Sequence, residues 1–210
     1  MPALKGLCLV TDRAACGDRP LKEVVRLAIL GGITSIQLRE KDLSTREFVA
    51  LAQALQAFLK PLKIPLIIND RVDVALACGA EGVHVGQSDM APADARRILG
   101  PRAILGLSVE TWEDLERAQD QEVDYLGVSP IFSTPTKTNT KQAWGLEGLA
   151  RIKAFSRHPL VAIGGIHQGN VGAIVRAGAE GIAVVSAICG AEDPERAARD
   201  LVGGIRRAQA

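Results

Sequence analysis

The residues that most clearly suggest chemistry stand at the end of a short apolar run. Gln37, Arg39 and Lys41 alternate along the chain, and alternate side chains of a strand point to the same side. Burying two cations and an amide on the same side of a strand costs free energy, because these groups lose their contacts with water. A bound anion would offset that cost. Arginine binds phosphate oxygens through two N–H groups, and lysine adds a point charge. The pattern favours a phosphate site over the alternative, an exposed charged loop.

Two carboxylates follow other apolar runs. Asp70 stands in Asn69-Asp70-Arg71, and Asp89 ends the segment Gly86-Gln87-Ser88-Asp89. If the two runs are neighbouring parallel strands, about 4.8 Å apart, the carboxylates converge. Mg²⁺ is commonly held by one or two carboxylates together with substrate phosphates. Either aspartate alone could instead cap a following helix, but the pair beside Arg39 and Lys41 predicts a Mg²⁺ site.

A second group of segments offers backbone amides and hydroxyls instead of charges. Gly164-Gly165-Ile166 and Val185-Ser186-Ala187-Ile188 both follow apolar runs. Glycine amides and a helix start at such places commonly bind phosphate. The sequence thus predicts two anion-binding halves, one suited to a diphosphate and one to a monophosphate. His84 lies inside an apolar run and either faces this site or is a satisfied core residue.

The elements that must position these residues form a repeat. Segments that resemble one another align on Gly32, Gly79 and Gly178, at offsets of about two and four units of roughly 24 residues, the length of one strand, one helix and two loops. Short apolar runs, typical of parallel strands covered by helices, predict strands at Leu7–Val10, Ser35–Leu38, Leu66–Ile68, Val83–Val85, Ile104–Leu107, Tyr125–Val128, Leu160–Ile163 and Ile182–Val185. Eight such units predict a single α/β domain over residues 1–210, a parallel eight-stranded (β/α)8 TIM barrel, whose active site lies at the carboxyl ends of the strands.

Composition limits the function classes. The 25 Lys and Arg residues nearly balance the 24 Asp and Glu residues, which argues against nucleic acid or a membrane surface as a partner. No apolar run has the length of a membrane span or of a signal peptide, and the four cysteines form no CxxC pair. We therefore expect a cytoplasmic enzyme. No GxSxG, HExxH or Walker sequence occurs, so hydrolysis through a nucleophile and base is not indicated.

Seven motifs, spread in order over nearly the whole chain, closely resemble the thiamine-phosphate synthase family. They are QLREK at 37–41, NDRVDVA at 69–75, GVHVGQSD at 82–89, TPTK at 134–137, GLEGL at 145–149, AIGGI at 162–166 and VVSAI at 184–188. The chain departs from the family at Ser129, where the family commonly has a small residue such as glycine, and the stretch 138–143 matches no family pattern.

The resemblance implies an enzyme that joins 4-amino-2-methyl-5-hydroxymethylpyrimidine diphosphate to 4-methyl-5-(2-hydroxyethyl)thiazole phosphate, with release of diphosphate and thiamine phosphate. It also implies the residue roles. The pyrimidine diphosphate would contact Gln37, Leu38, Arg39, Glu40, Lys41, Asn69, Ser108 and Lys137. Mg²⁺ would bind Asp70 and Asp89, and the thiazole phosphate would contact Thr134, Pro135, Thr136, Gly165, Val185 and Ser186. His84 is a further active-site candidate, and a homo-oligomer is an open possibility.

Two other functions compete with the synthase. Thiazole tautomerases resemble this family but depart from its diphosphate and metal residues, and a silent binder of thiamine precursors would not need those residues. The retained Arg39, Lys41, Asp70 and Asp89 favour the synthase. A dissociative reaction is expected, because an electron-rich aminopyrimidine stabilises the cation that remains when diphosphate leaves. The thiazole nitrogen is already a neutral nucleophile, so no general base is required.

Overall fold

Eight parallel strands close into one barrel in the structure, a computed structural model that describes residues 4–134 and 142–210. Each strand pairs with its neighbour in sequence, and β8 closes the barrel on β1. This confirms the predicted (β/α)8 architecture. The strands are β1 (Gly6–Val10), β2 (Ser35–Leu38), β3 (Leu66–Asn69), β4 (Gly82–Val85), β5 (Ile104–Val109), β6 (Tyr125–Val128), β7 (Leu160–Ile163) and β8 (Gly181–Val184).

Helices follow the strands around the outside of the barrel. In the described chain they are α1 (Leu21–Leu30), α2 (Thr45–Leu59), α3 (Val72–Cys78), α4 (Pro92–Leu99), α5 (Trp112–Ala118), α6 (Gly145–Phe155), α7 (Val171–Arg176), α8 (Ser186–Cys189) and α9 (Pro194–Gln209), with a 3₁₀ turn at Lys60–Leu62. Among these helices, none is both long enough and apolar enough to cross a membrane.

Local sequence signals explain where several elements begin and end. Ser44 caps α2, and the Glu47 carboxylate accepts a hydrogen bond from the Ser44 amide at 3.0 Å, which completes a capping box. The glycines of the repeat, Gly32, Gly79 and Gly178, all have left-handed φ angles of 98°, 66° and 114°. Gly79 is itself the C-cap of α3, whereas the other two lie one residue beyond the cap. Glycine adopts this conformation without the steric penalty of a Cβ atom.

Alternation along each strand separates two apolar layers. In β1, Leu7 and Leu9 face the helices, whereas Cys8 and Val10 face the barrel interior with Ile67. Because both faces are buried, the strands read in sequence as continuous apolar runs. The polar side chains that point inward near the strand ends therefore lie in a confined space.

Six predicted strand boundaries were wrong by one or two residues. β1, β4 and β8 begin one residue earlier than predicted, at Gly6, Gly82 and Gly181, and β3 ends one residue later, at Asn69. β5 extends to Val109 because its ladder with β6 continues through Ser108 and Val109, so Ser108 lies within the strand instead of after it. β8 ends at Val184 because Val185 has left the extended conformation and is the N-cap of α8.

Candidate active site

A cavity of about 550 Å³ opens at the carboxyl ends of the strands. Most of the residues singled out in the sequence line it, and they come from seven of the eight strands or the loops that follow them. They are Gln37, Arg39, Lys41, Asn69, Asp70, His84, Asp89, Ser108, Thr134, Gly165, Val185 and Ser186. The barrel thus brings the two predicted anion-binding halves into one space.

The segment 37–41 divides between the cavity and the protein interior. Gln37, Arg39 and Lys41 line the cavity, as their alternation predicts. Leu38 and Glu40 are not among the lining residues: Leu38 is fully buried in the outer core, and the Glu40 carboxylate lies 3.2 Å from Nε of Arg13. A contact of Leu38 or Glu40 with a substrate would therefore go through the backbone.

Part of the predicted site lies outside the described residues. Pro135, Thr136 and Lys137 fall between the two described ranges, so their predicted roles stay predictions. Thr134, the last residue before the gap, lines the cavity.

The two aspartates lie together at the ends of β3 and β4. Asp70 has a left-handed backbone with φ 65°, uncommon for a residue other than glycine and tolerated best by Asp and Asn. Its amide donates to the His84 carbonyl at 2.8 Å. Its carboxylate pairs with the Lys41 ammonium group. Burial, and then the nearby Asp70 charge, raise the pKa of Asp89, although the Gly86 amide that donates to Asp89 at 2.7 Å opposes this.

This arrangement fits a divalent cation. Two neighbouring carboxylates repel each other, and this repulsion adds to burial in raising the pKa of Asp89. A cation between them would relieve it. The described chain contains no cluster of three or more His, Cys, Asp or Glu residues placed to hold a metal. Water and substrate oxygens would have to supply the remaining ligands, which is the usual coordination of Mg²⁺.

Arg39 is held at the cavity wall by two contacts with the chain after β1. Its guanidinium lies 3.7 Å from the Asp12 carboxylate, and its amide donates to the Thr11 hydroxyl at 3.0 Å. The long distance to Asp12 leaves the guanidinium only weakly paired, so it remains able to bind an anion.

The opposite side of the cavity is formed by backbone. Gly164 and Gly165 follow β7 with left-handed φ angles of 103° and 64°. Their carbonyl oxygens accept hydrogen bonds from the Phe132 amide at 3.0 Å and the Asn170 side chain at 2.9 Å, respectively. These contacts fix the peptide planes of the glycine pair at the cavity rim. Ser186, the first residue of α8, lies on the same side.

His84 lines the cavity and is also a buried residue whose two ring nitrogens both have hydrogen-bond partners, so it has features of both alternatives left by the sequence. Its Nε2 atom lies 2.8 Å from the Ser108 hydroxyl, and its Nδ1 atom lies 2.9 Å from the Tyr125 hydroxyl. Tyr125 was missed by the sequence analysis, as were two further lining residues, Gln87 and Glu110. Tyr125 reaches His84 through the strand register, which places Gly106 of β5 beside both residues, and the sequence near Tyr125 carries no signal of this.

The other two histidines lie outside the cavity lining. His158 precedes β7, and its ring Nε2 lies 3.0 Å from the Ala118 carbonyl, which fits a structural role. His167 accepts a hydrogen bond from the Gly169 amide at 3.2 Å in the loop after β7.

Comparison with known proteins agrees with this geometry. Residues 7–188 match the family profile described as thiamine monophosphate synthase. A thiamine-phosphate synthase from Albidiferax ferrireducens is 59% identical over 95% of this chain and 92% of its own length. One from Leptospira biflexa is 52% identical over 92% of this chain and 94% of its own.

Solved structures extend the similarity to the fold. A thiamine phosphate pyrophosphorylase from Pyrococcus furiosus superposes with a TM-score of 0.89 at 36% identity, over 99% of this chain and 98% of that chain. A 3-hexulose-6-phosphate synthase, with a TM-score of 0.68 at 20% identity over 95% and 99% of the two chains, shares the fold alone. On the strength of the profile match and these close relatives, the chain belongs to the thiamine monophosphate synthase family.

Proposed function

We propose that this protein is a thiamine-phosphate synthase, a transferase that joins 4-amino-2-methyl-5-hydroxymethylpyrimidine diphosphate to 4-methyl-5-(2-hydroxyethyl)thiazole phosphate. The observation that carries the proposal is the shared cavity, in which cations and paired carboxylates face a glycine loop across one space. A site with two different anion-binding halves suits two phosphorylated substrates. Retention of both halves distinguishes a synthase from a tautomerase or a silent binder.

The diphosphate half would bind and neutralise the leaving group. Arg39 supplies N–H pairs that match phosphate oxygens, and Lys41 supplies a point charge that Asp70 already orients toward the cavity. Lys137 would add a third cation. When bound by Asp70 and Asp89, Mg²⁺ supplies positive charge that stabilises the departing diphosphate.

The glycine half would hold the thiazole phosphate. Gly165 and Ser186 line the cavity beside Val185, and backbone N–H groups bind phosphate oxygens without adding a charge. Thr134, Pro135 and Thr136 complete this half in the proposal. Placing the monophosphate away from the paired carboxylates avoids repulsion between them and its charge.

In the proposed reaction the carbon–oxygen bond to diphosphate breaks, and diphosphate leaves with the electron pair. The aminopyrimidine ring stabilises the carbon cation that remains. The thiazole nitrogen then donates its lone pair to that carbon, which forms the carbon–nitrogen bond of thiamine phosphate. No proton has to be removed, so the protein contributes by positioning the two reactants and by stabilising the leaving charge.

The test is an assay of the full chain with both precursors. We expect thiamine phosphate and diphosphate in equal amounts when Mg²⁺ is present, and none when either precursor is left out or the metal is chelated. A properly folded protein that forms no product with both precursors and Mg²⁺ is not a synthase. Turnover of the thiazole phosphate alone to an isomer would instead identify a tautomerase.

A further inference from the structure

A row of hydrogen-bonded side chains crosses the barrel interior beneath the cavity. It joins Ser108 of β5, His84 of β4 and Tyr125 of β6, with distances of 2.8 Å and 2.9 Å between successive polar atoms. His84 and Tyr125 are nearly inaccessible to solvent. Buried polar groups cost stability unless all are satisfied, and the reaction proposed above assigns His84 and Tyr125 no role.

Two glycines make the space that the row occupies. A Cβ atom on Gly106 would overlap the Tyr125 ring and Nδ1 of His84, and one on Gly127 would lie 2.7 Å from Cε1 of His84. Real Cβ atoms do not approach that closely, so any larger residue at either glycine would displace a ring. The two rings also stack, with centroids 5.4 Å apart. The side chains of the row are therefore fixed in place by packing from neighbouring strands.

The buried Tyr125 hydroxyl indicates which group donates and which accepts in each hydrogen bond of the row. Burial raises the pKa of Tyr125 well above its usual value near 10, so the phenol keeps its proton. A buried hydroxyl has to donate that proton to an acceptor, and Nδ1 of His84 lies at hydrogen-bond distance, 2.9 Å from the Tyr125 oxygen. If Nδ1 accepts from Tyr125, the ring proton of a neutral His84 lies on Nε2, which lies 2.8 Å from the Ser108 oxygen and would donate to it. Burial raises the pKa of Tyr125 more than a side-chain hydrogen bond with Gln37 lowers it.

We propose that Tyr125 and His84 are positioning residues that hold the Ser108 hydroxyl as a hydrogen-bond donor toward the diphosphate-bearing substrate. Because the Ser108 oxygen accepts from His84, its own hydrogen is directed to another acceptor. Ser108 lines the cavity together with Arg39 and Asp89, and its carbonyl is anchored by the Gln87 side chain at 2.7 Å. The acceptor is a phosphate oxygen or a ring nitrogen of the pyrimidine diphosphate. This inference rests on the proposed synthase function.

The first test measures the direction of the row without any substrate. In the full chain labelled with ¹⁵N-histidine, we expect the NMR spectrum of His84 to show a proton on Nε2 and an accepting Nδ1. The variants His158→Asn and His167→Asn assign the spectrum by removing the other two histidines. A proton on Nδ1 would overturn the proposal, because Ser108 would then donate to His84 instead of to a substrate. Since no turnover is involved, this result is independent of the synthase assignment.

The second test is a kinetic double-mutant cycle. We expect Tyr125→Phe and Ser108→Ala each to raise KM for the pyrimidine diphosphate about tenfold, the effect of one lost hydrogen bond. KM for the thiazole phosphate should change less than about twofold, since its proposed contacts lie elsewhere. If Tyr125 acts through Ser108, Tyr125→Phe should have almost no effect in the Ser108→Ala background. Effects that multiply would show that Tyr125 does not act through Ser108.

Matched controls separate positioning from general stability. His84→Asn should raise KM for the pyrimidine diphosphate, whereas His158→Asn, the same change outside the cavity, should leave it unchanged. Equal effects of the two changes would contradict the proposal. If Tyr125→Phe fails to fold, the histidine spectrum of the unaltered chain decides alone.

Binding of inorganic diphosphate with Mg²⁺, followed by calorimetry, distinguishes the two acceptors. If Tyr125→Phe weakens diphosphate binding as much as it raises KM, Ser108 donates to a phosphate oxygen. If diphosphate binding is unchanged while KM rises, Ser108 donates to the pyrimidine ring. If neither quantity changes, the row has no positioning role.

Discussion

In the proposed function, the two sides of the cavity each bind a phosphate group, but by different physical means. The side formed by β2, β3 and β4 uses long charged side chains, and these already interact with one another, as Lys41 does with Asp70 and Arg39 with Asp12. The side formed after β7 and β8 uses peptide groups of Gly164 and Gly165, whose orientation is set by hydrogen bonds to the surrounding chain.

The two sides therefore depend on different properties of the protein to hold a ligand in place. Charges act over several ångströms and also carry a desolvation cost, so the charged side is sensitive to pH, salt and the loss of any partner. Peptide N–H groups do not titrate, but they point correctly only while the backbone keeps its conformation. We therefore expect binding on the charged side to be lost when a side chain is changed. Binding on the glycine side should be lost when the backbone is forced to move.

The largest effect is expected from Asp70→Ala on the charged side. Loss of this carboxylate removes a proposed Mg²⁺ ligand and the partner of Lys41. We expect kcat to fall by about 10²–10³-fold, the range for losing one group that stabilises leaving charge, with diphosphate binding weakened as well. Steady-state kinetics and calorimetry measure both.

The matched control for this change is Asp73→Ala. Asp73 lies three residues away in α3, is more than half exposed and pairs with Arg71 instead of facing the cavity. It should keep nearly full activity. If Asp70→Ala also keeps full activity with Mg²⁺, Asp70 does not bind the metal.

On the glycine side, Gly165→Ala should raise KM for the thiazole phosphate about tenfold, with little change in KM for the pyrimidine diphosphate. Alanine disfavours the left-handed φ of 64°, and its Cβ would lie 2.7 Å from Cβ of Phe132. Gly79→Ala is the control, because it has a φ of 66° and no atom within 4 Å of the added Cβ. Both changes should lower the melting temperature. If both raise KM equally, the glycine loop has no special role.

The raised pKa of Asp89, caused by burial and then by the nearby Asp70 charge, predicts a smaller, pH-dependent effect on stability. The pKa of Asp89 is raised above its ordinary value of 3.8 in the folded protein, so the unfolded chain releases this proton at lower pH. Stability is therefore lost as pH rises through the window above 3.8. Without metal, Asp89→Asn should raise the melting temperature by a few degrees at neutral pH.

That gain should disappear on acidification, where Asp89 is protonated in both states. Added Mg²⁺ should stabilise the original chain and not the variant. An Asp89→Asn protein that melts at the same temperature as the original chain at neutral pH would show that the ionised Asp89 carboxylate does not lower the stability of the folded chain.

The smallest effect is expected at Glu40, whose side chain is directed away from the cavity. Glu40→Gln keeps the backbone and removes the charge, so KM for the pyrimidine diphosphate should change less than about threefold, as for a weak ion pair. Lys41→Gln, next in the chain, should change it much more. Equal effects of the two changes on KM would show that alternation along residues 37–41 does not separate side chains that face the cavity from those that do not.

Much of this organisation could be predicted from the sequence because it depends on local periodicity. The alternation of Gln37, Arg39 and Lys41 placed their side chains on one face, and the capping residue Ser44 marked the start of α2. The strand order follows from the rule that sequential parallel strands are neighbours. Predicting these features does not require the strand register, that is, how far each strand is shifted along its neighbour.

The remaining features of the candidate site depend on the strand register. The register places His84 of β4 beside Gly106 of β5, and Gly106 beside Tyr125 of β6. Nothing in the sequence near Tyr125 marks it as a partner of a histidine 41 residues earlier. The ion pair between Lys41 and Asp70 is likewise a contact across strands. The sequence could supply the candidates for the site but not their pairing.

The glycines inside the barrel also constrain how the family can vary. Positions 84, 106, 125 and 127 share one fixed volume, because the rings at His84 and Tyr125 fill the space that Gly106 and Gly127 leave. A relative that enlarges one of these positions must lose bulk at another. Substitutions at the four positions should therefore be correlated among related sequences. A chain that changes only one of the four positions should have a poorly packed barrel interior.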